Sequence, residues 1–437
     1  MDFYDRKTEI ESLKEILEQS RQTATMTVII GRRRIGKTSL LMQSFKNEKR
    51  CVYLFVSRTS ESVLCDNFCN AIERQSDLII AGHPNKTDQI MELLFREACI
   101  TPLTVIIDEF QDFEYVNHSF FSYLQNLWDR YHQKAKINLI VCGSIYSMMV
   151  GIFENSKEPL FGRMTHKIKL NPFRIEVLKE ILHDYNPTYT TEDLLCLYML
   201  TGGVPMYVSL LMDQKAITKD SMLDVVCKSN SRFLTEATDM LIGEFGKQYT
   251  NYFGIMQLIA NGLTTQKEID SVVGKNTGTY MQTLEKEYSL IRRNLPYGSK
   301  PGTRNIRWQI NDNFLMFWFR FIAPNARLIE QNDTQTLRLI IEEGYRQFSG
   351  LILERYFRQK IAEEEHATEI ESWWDRKGEN EVDLIAINRL EKWVKIAEIK
   401  RNKNKIDMNV LKKKASSLHH LLPRYPVQTL ALSMENM

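Results

Sequence analysis

The sequence predicts an α/β fold built on a parallel sheet, and three apolar runs carry this prediction. Residues 25–30 (TMTVII), 103–109 (LTVIIDE) and 137–144 (INLIVCGS) are short and rich in β-branched side chains. Such runs are typical of strands that are buried on both faces of a parallel sheet. Helical patterns at residues 62–80 and 87–98 supply the crossovers that parallel strands require.

The first run passes directly into a phosphate-binding pattern. The eight residues from Gly31 read GRRRIGKT and fit G-x-x-x-x-G-K-[ST]. The glycines let the loop curl so that its N–H groups point at a phosphate chain, and a helix that begins near Lys37 adds its positive N-terminal end. Lys37 is expected to reach the β/γ-phosphates, and the Thr38 hydroxyl to ligate Mg²⁺. The predicted loop contacts to the nucleotide are Gly31, Arg32, Arg33, Arg34, Ile35, Gly36, Lys37, Thr38 and Ser39.

Composition indicates an ordinary globular protein of the cytoplasm. Of its 437 residues, 43% are hydrophobic and 26% are charged, and the net charge of +2 points to no particular class of partner. The seven cysteines are scattered without a C-x-x-C pair, as expected in a reducing compartment. The most apolar stretch, residues 314–323, is too short for a membrane span and contains Arg320.

Two carboxylates follow the run at residues 103–107. Asp108 suits the outer-sphere partner of Mg²⁺ at a strand terminus, and Glu109 suits the residue that orients or activates water for attack on a phosphate. The run at residues 137–144 is expected to lie between this strand and the first one. It ends at Ser144, which would stand beside the γ-phosphate as a polar sensor, although a Gly-Ser turn is an adequate alternative explanation.

Two further segments flank this predicted core. Arg163 precedes a fifth predicted strand at residues 166–170, where it would reach the γ-phosphate of a neighbouring subunit or lie solvated on a loop. The sequence does not decide between these two roles of Arg163, and it does not indicate the oligomeric state. At the N-terminus, an aromatic turn at residues 3–6 leads into an amphipathic helix at residues 7–19.

These segments together resemble one family. FYDRKTEIESL, GRRRIGKTSLL, VIIDEFQDF, VCGS and TGGVPMYV are similar, in this order, to motifs of the archaeal-type P-loop ATPases of the AAA+/STAND lineage, which also occur in bacteria. The resemblance spans roughly residues 1–325. It implies ATP as the nucleotide, a core at residues 1–170 and a helical lid at 171–240 that hinges at Gly202-Gly203-Val204-Pro205. The residues implied in hydrolysis are Gly36, Lys37, Thr38, Asp108 and Glu109, with Phe3, Tyr4 and Arg6 near the adenine.

Residues 241–325 predict a winged helix-turn-helix, with three helices followed by two short strands that flank a Gly/Pro-rich loop. Such a fold would place basic side chains near a nucleic-acid backbone. It would equally serve as a spacer between protein domains. The aromatic run at residues 314–321 would be either a base-stacking platform or a buried core helix. The basic side chains in question are Lys275, Arg292, Arg293, Lys300 and Arg304.

Residues 326–437 predict an α+β domain with strands at 370–374, 381–387 and 393–399. The pattern Asp383-x₁₄-Glu398-x-Lys400, preceded by Glu354 on a helix, is similar to the active site of PD-(D/E)xK, or restriction-endonuclease-like, nucleases. The resemblance implies that Asp383 and Glu398 hold Mg²⁺ while Lys400 acts on the phosphate or on water. Period-two alternation places residues 398 and 400 on one side of their strand.

The sequence thus predicts a cytoplasmic ATPase that controls a Mg²⁺-dependent nuclease-like domain acting on DNA in a defence or mobile-element context. The alternatives are a regulatory switch whose last domain is a docking platform for a protein partner, and a nucleotide-gated transcription factor. Convergence of Asp383, Glu398 and Lys400 on one open site would favour the nuclease. Burial of these residues in ion pairs with one another, capped by Trp373 or Trp374, would favour the platform.

Overall fold

The computed structural model describes residues 1–80, 82–245, 249–300, 302–303 and 305–437. They form two compact units. The first unit is Asp5–Asn171, and the second combines Met1–Tyr4 with Pro172–Met437. The division into four domains at residues 1–170, 171–240, 241–325 and 326–437 stays a prediction.

The first unit contains a five-stranded parallel sheet with strand order β2-β3-β4-β1-β5. As the sequence predicted, β4 lies between β1 and β3, so the residues that follow these three strands meet at one edge of the sheet. The strands are β1 (Thr25–Ile30), β2 (Cys51–Phe55), β3 (Leu103–Asp108), β4 (Ile137–Cys142) and β5 (His166–Lys169).

Both faces of this sheet are covered by helices, which explains why the central strands read as continuous apolar runs. On β3, Val105 and Ile107 pack into one hydrophobic cluster and Ile106 into another on the opposite face. The helices are α1 (Lys7–Ser20), α2 (Lys37–Ser44), α3 (Glu61–Gln75), α4 (Thr87–Ile100), α5 (Phe113–Val116), α6 (Phe120–Tyr131) and α7 (Tyr146–Glu154).

The second unit begins with a series of helices and a two-stranded antiparallel hairpin. Thr265 caps the helix that begins at Gln266, because its hydroxyl accepts a hydrogen bond from the N–H of Glu268. The elements are α8 (Ile175–Tyr185), α9 (Thr191–Thr201), α10 (Pro205–Met212), α11 (Lys219–Cys227), α12 (Arg232–Phe245), α13 (Tyr249–Ala260), α14 (Gln266–Val273), α15 (Gly278–Lys286), β6 (Ile291–Asn294) and β7 (Arg307–Ile310). Arg304, one of the predicted basic contacts, lies outside the described residues.

The aromatic run at residues 314–321 is core rather than a base-stacking surface. It forms α16 (Asn313–Phe317) and continues into a π-helical turn, Trp318–Ile322. Phe314, Phe317 and Phe319 are fully buried. Helices α17 (Ala326–Glu330) and α18 (Thr334–Glu364) follow, and α18 carries Glu354 on a helix, as predicted.

The chain ends in a mixed four-stranded sheet with strand order β11-β10-β9-β8. Three antiparallel strands were predicted and are present, but the fourth strand was missed: β11 pairs in parallel with β10 across helix α19. The elements are β8 (Glu369–Trp374), β9 (Glu381–Asn388), β10 (Trp393–Ile399), α19 (Met408–Leu418) and β11 (Val427–Leu432).

The hairpin β6–β7 packs against this last sheet. Arg307 pairs with Glu381 at 2.8 Å, and its guanidinium lies 4.4 Å from the centre of the Trp374 ring. The N–H of Tyr297 donates to the carbonyl of Ser372 on β8 at 2.8 Å. Part of the hairpin is therefore engaged in contacts within the chain. In the described part of the chain, none of the helices combines the length and apolar character that a membrane crossing needs.

Candidate functional site

The loop between β1 and α2 has the conformation that its glycines were predicted to allow. Gly36 has φ of 87°, a left-handed conformation that would strain any residue with a Cβ. Lys37 follows as the first residue of α2, and its ammonium donates to the carbonyls of Gly31 at 2.8 Å and Arg32 at 3.1 Å. Burial lowers the pKa of Lys37. The cation thus stands within the loop that would enclose a phosphate chain.

Asp108 lies at the end of β3, opposite the start of α2. The hydroxyls of Thr38 and Tyr53 donate to its Oδ2 at 2.8 and 2.7 Å. Its Oδ1 accepts from the N–H of Glu109 at 2.9 Å and from the thiol of Cys142 at 3.1 Å. A hydroxyl and a carboxylate in direct contact are hard oxygen ligands of the kind that Mg²⁺ prefers, so these residues fit the ion. Tyr53 was not anticipated as part of this site.

Glu109 is held in a strained backbone conformation beside Asp108. Its φ of 53° lies in the left-handed region, which a non-glycine residue adopts only when its surroundings impose it. Its Oε2 accepts from Gln111 Nε2 at 2.6 Å and from the Ser144 hydroxyl at 2.6 Å, and Arg33 Nε donates to that hydroxyl at 3.4 Å. The carboxylate is therefore fixed in direction as well as in position.

Gln111, which the sequence analysis did not single out, connects the carboxylate of Glu109 to the surface of the unit. The side chain is buried, and its Nε2 lies 3.3 Å from an oxygen of Asp112, which pairs with Arg58 at 2.9 Å. Its Oε1 would stand 2.0 Å from a Cβ at Gly143, so only glycine fits there. Gln111 is therefore a positioning residue for Glu109.

Arg163 is engaged inside its own unit. Its Nε and one terminal nitrogen donate to the two carboxylate oxygens of Asp129 at 3.0 and 2.9 Å, and the other terminal nitrogen donates to the carbonyl of Pro159 at 2.9 Å. This fork geometry holds a guanidinium firmly. Its action on a nucleotide in a neighbouring subunit stays a prediction.

The N-terminal residues predicted near the adenine divide between the two units. Arg6 donates to the carbonyls of Ile35 at 3.5 Å and Asn171 at 2.7 Å, beside the phosphate-binding loop. Tyr4 belongs to the second unit, where its hydroxyl donates to Asp184 at 2.8 Å, and Phe3 is exposed. Contact of Phe3 and Tyr4 with a nucleotide stays a prediction.

A second group of carboxylates lies in the mixed sheet of the second unit. Asp383 extends from β9, while Glu398 and Lys400 come from the end of β10. The Lys400 ammonium stands 3.2 Å from a carboxylate oxygen of each acid, and the N–H of Ile399 donates to Asp383 at 2.8 Å. The side chain of Asp383 is 9% exposed and that of Lys400 is 40% exposed. The three side chains converge, as their spacing in the sequence predicted, and Lys400 is open to solvent.

Helices on both sides complete this group. Glu354 of α18 is close enough for the charge of Asp383 to matter: burial, and then that charge, raise the pKa of Glu354 to about 8. Lys414 of α19 lies 3.5 Å from Glu398. Burial would lower the pKa of Lys400, but the charges of Asp383 and Glu398 outweigh it and raise this pKa.

Asp383, Glu398 and Lys400 are ion-paired with one another, as the platform alternative expects, and both tryptophans contact other parts of the chain. The indole N–H of Trp374 donates to Asn305 at 3.0 Å, and Trp373 packs against the hydrophobic cluster of β9, β10 and α19. Within the described residues, no set of three or more Asp, Glu, His or Cys side chains is arranged to hold a metal ion. Two carboxylates, from Asp383 and Glu398, nevertheless fit Mg²⁺, which commonly keeps several waters and takes only one or two protein carboxylates.

Comparison with known proteins agrees with the first site. Residues 3–211 match the model of a family described as an ATPase domain predominantly from Archaea, and residues 318–415 match a family of archaeal and bacterial proteins of unknown function. The uncharacterized protein MJECL04 of Methanocaldococcus jannaschii is 30% identical over 408 residues, which cover 91% of this chain and 87% of that protein. The chain belongs to the archaeal-type ATPase family.

A solved structure supports the same fold. The Walker-type ATPase PABY2304 of Pyrococcus abyssi superimposes with a TM-score of 0.54 at 19% identity, and the alignment covers 73% of this chain and 96% of that one. Family membership and the geometry around Lys37 and Asp108 together make this archaeal-type ATPase an enzyme that binds and hydrolyses ATP.

Proposed function

We propose that this archaeal-type ATPase uses Mg²⁺ and ATP in the cytoplasm to control cleavage of DNA phosphodiester bonds by its C-terminal sheet, in a defence or mobile-element context. The observation that carries the proposal is the convergence of Asp383, Glu398 and Lys400, with Lys400 open to solvent. Carboxylates from adjacent strands with a lysine on the same face form an arrangement suited to phosphodiester hydrolysis.

At the nucleotide site, Thr38 and Asp108 would hold Mg²⁺, which neutralises charge that develops on the phosphates when it is bound. Lys37 and the N–H groups of the loop bind the β- and γ-phosphates. Glu109 orients the attacking water, and its direction is maintained by Gln111 and Ser144. Each of these roles follows from a donor or acceptor that is already fixed in place.

At the C-terminal site, Asp383 and Glu398 would hold Mg²⁺, which polarises the phosphate and its attacking water when it is bound. The ammonium of Lys400 stabilises the phosphate that is attacked, because it carries a positive charge into the exposed part of the site. Glu354 adds a carboxyl group from α18 on the buried side of Asp383.

A contact between β10 and helix α9 offers a route for control by ATP. Arg401, which follows Lys400 directly, pairs with Glu192 on α9 at 2.5 Å and donates to the Ser349 hydroxyl at 2.7 Å. Helix α9 ends at the Thr201-Gly202-Gly203 turn that the family resemblance makes a hinge. A change at this hinge would therefore act on the strand end that carries Lys400.

The test is cleavage of plasmid and single-stranded DNA with Mg²⁺ or Mn²⁺, with and without ATP. We expect wild type to cut, Lys37→Ala to lose the ATP dependence, and the double variant Asp383→Ala, Lys400→Ala to lose cutting while it still hydrolyses ATP. Lys413→Ala, on the exposed side of α19, is the matched control and should cut normally. Intact ATP hydrolysis without cleavage by wild type would reject the nuclease.

The second candidate is a regulatory switch in which the C-terminal sheet binds a protein partner. It is favoured by the pairing of hairpin cations inside the chain: Arg307 contacts Glu381 at 2.8 Å, and Arg293 contacts Glu285 at 2.7 Å. Those charges are less available to a DNA backbone, so the predicted winged helix would serve as a spacer. A protein partner retained by wild type and lost on deletion of residues 369–437, without any cleavage, would support this candidate.

A further inference from the structure

A cavity of about 290 Å³ lies beside the C-terminal carboxylates, in the second unit. Its walls come from the end of α13, from β7, from the π-helical turn at residues 318–322 and from α18. Volumes near this value are at the small end of ligand-binding pockets, and a single planar ring system fits in such a space. The proposed function uses only one of its lining residues, Glu354.

Two side chains connect the cavity with the carboxylate site. Glu354 lines the cavity from α18, and so does Arg358 one helical turn later. Arg358 donates to the backbone carbonyl of Asp383 at 2.9 Å. A molecule in the cavity would therefore lie one side chain away from the residue proposed to hold Mg²⁺.

The charge of the lining favours an anion at the edge of the cavity. Arg320, Arg355 and Arg358 contribute to the walls, against the single carboxyl group of Glu354. Arg355 is fixed by Asn313 at 3.0 Å and donates to the carbonyl of Ile310 at 2.6 Å. Rigid guanidinium groups are well suited to phosphate.

The rest of the lining favours a planar aromatic ligand with polar edges. Trp308 and Phe348 supply aromatic surface, and both are nearly buried. Asn261 and Gln309 supply amide groups, which can pair with the edge of a base. Arg320 stands on the π-helical turn and donates to Asn261 at 2.6 Å. Single π-helical turns are rare in proteins, and those that do occur are often found at functional sites.

We propose that this cavity binds one nucleobase of a single-stranded nucleic acid whose neighbouring phosphodiester lies at Asp383, Glu398 and Lys400. The inference rests on the proposed function and names its substrate class. The positive charges of Arg320, Arg355 and Arg358 attract the phosphates, and the amide groups contact the base edge. A base inside the cavity is unstacked on both sides, which a single strand allows at little cost and a duplex only after a base has been flipped out.

The inference is tested by binding of the full chain to a single-stranded oligonucleotide that contains 2-aminopurine, in EDTA to prevent cleavage. The key variant is Leu351→Trp, because Leu351 lines the cavity and is 47% exposed, so a larger side chain fills the space without disturbing the core. Leu339→Trp is the matched control on the same helix, 64% exposed and outside the lining. Melting temperatures verify that both variants fold.

We expect Leu351→Trp to weaken binding about tenfold and to abolish the change in 2-aminopurine emission, whereas Leu339→Trp binds as wild type does, since filling a base pocket forfeits about one stacking contact. Equal binding by all three chains would overturn the inference. Competition with thymidine monophosphate, measured in the Lys37→Ala variant, identifies the source of the base. If the monophosphate displaces the oligonucleotide, free nucleotides also enter the cavity. If it does not displace the oligonucleotide, the cavity requires a strand.

The outcomes separate this inference from the proposed function. If wild type cuts DNA and Leu351→Trp binds and cuts equally well, the cavity is not a base site and the nuclease stands. If no chain cuts DNA but Leu351→Trp still loses binding, the base site stands and the nuclease is rejected.

Discussion

The two pairs of carboxylates in this protein are held by opposite kinds of partner. Asp108 and Glu109 accept hydrogen bonds from neutral groups: hydroxyls, an amide, a thiol and backbone N–H groups. Asp383 and Glu398 are held mainly by ammonium groups: Lys400 contacts both and Lys414 contacts Glu398, while the N–H of Ile399 adds a neutral donor to Asp383. Neutral donors fix a carboxylate without cancelling its charge, whereas an ammonium group compensates that charge directly.

This difference indicates how each site would meet a metal ion. The full charge of Asp108 remains available to Mg²⁺ that arrives with ATP. At Asp383 and Glu398, an incoming ion would have to share the carboxylates with Lys400 and Lys414, two ammonium groups that already balance the two negative charges. The first pair is thus arranged for a ligand that comes and goes with each turnover, and the second for a stable resting site.

The comparison is tested most strongly at the phosphate-binding loop. Lys37→Ala should lower ATP hydrolysis by about a thousandfold, because it removes the cation that the loop places against the phosphates. Phosphate release measures this effect. Lys46→Ala, an exposed lysine just after α2, serves as the control and should hydrolyse ATP normally. Comparable activity in the two variants would contradict the assignment of the loop.

Glu109, the second of the two carboxylates held by neutral donors, provides the next test. Glu109→Gln should reduce kcat for ATP by about a hundredfold, since the group that orients water can no longer accept its proton. Affinity for ATP, measured with a fluorescent analogue, should change little because the phosphates are bound by other groups. A variant that loses affinity as well as turnover would show that Glu109 takes part in binding.

The ion pairs that Lys400 makes with Asp383 and Glu398 should contribute to the free energy of unfolding. Lys400→Met should cost the second unit about 2 kcal/mol, because Asp383 is nearly buried and would lose its cation, although the exposure of Lys400 moderates this figure. Urea unfolding followed by tryptophan fluorescence measures the change. In the double variant Lys400→Met, Asp383→Asn part of the loss should be recovered. No recovery would mean that the two side chains are not coupled.

The smallest expected effect concerns the residue that steadies Glu109. Gln111→Leu should lower kcat for ATP about fivefold and leave KM unchanged, because Glu109 loses one donor but keeps Ser144. The split between kcat and KM distinguishes positioning from general damage, which would also lower the melting temperature of the first unit. Asn126→Leu on the outer face of α6 provides a comparison that should leave both parameters unaltered.

The sequence predicted those parts of the sites that depend on short-range spacing. The loop from Gly31 to Thr38, the pair after β3 and the Asp383–Lys400 pattern each follow from a fixed number of residues on one strand or turn. Tyr53 and Gln111 were missed because an isolated polar residue in an apolar or aromatic segment has no spacing that marks it. Their roles arise only when β2 pairs with β3 and when the turn after Glu109 folds back.

Strand β11 shows the same limit for the fold. It is an edge strand with exposed and half-buried positions, so it lacks both the continuous burial of β9 and the partial alternation of β10. Its pairing with β10 is parallel and requires the crossover through α19, a long-range arrangement that no local pattern specifies.

The juxtaposition of Lys400 and Arg401 has a mechanical consequence. Consecutive Cα atoms are held about 3.8 Å apart by a planar peptide, so the backbone of Lys400 stays at a fixed distance from that of Arg401. Arg401 pairs with Glu192 on helix α9, while Lys400 contacts both carboxylates of the C-terminal site. A displacement of α9 would therefore be passed, through the Glu192–Arg401 pair, to the backbone that carries Lys400.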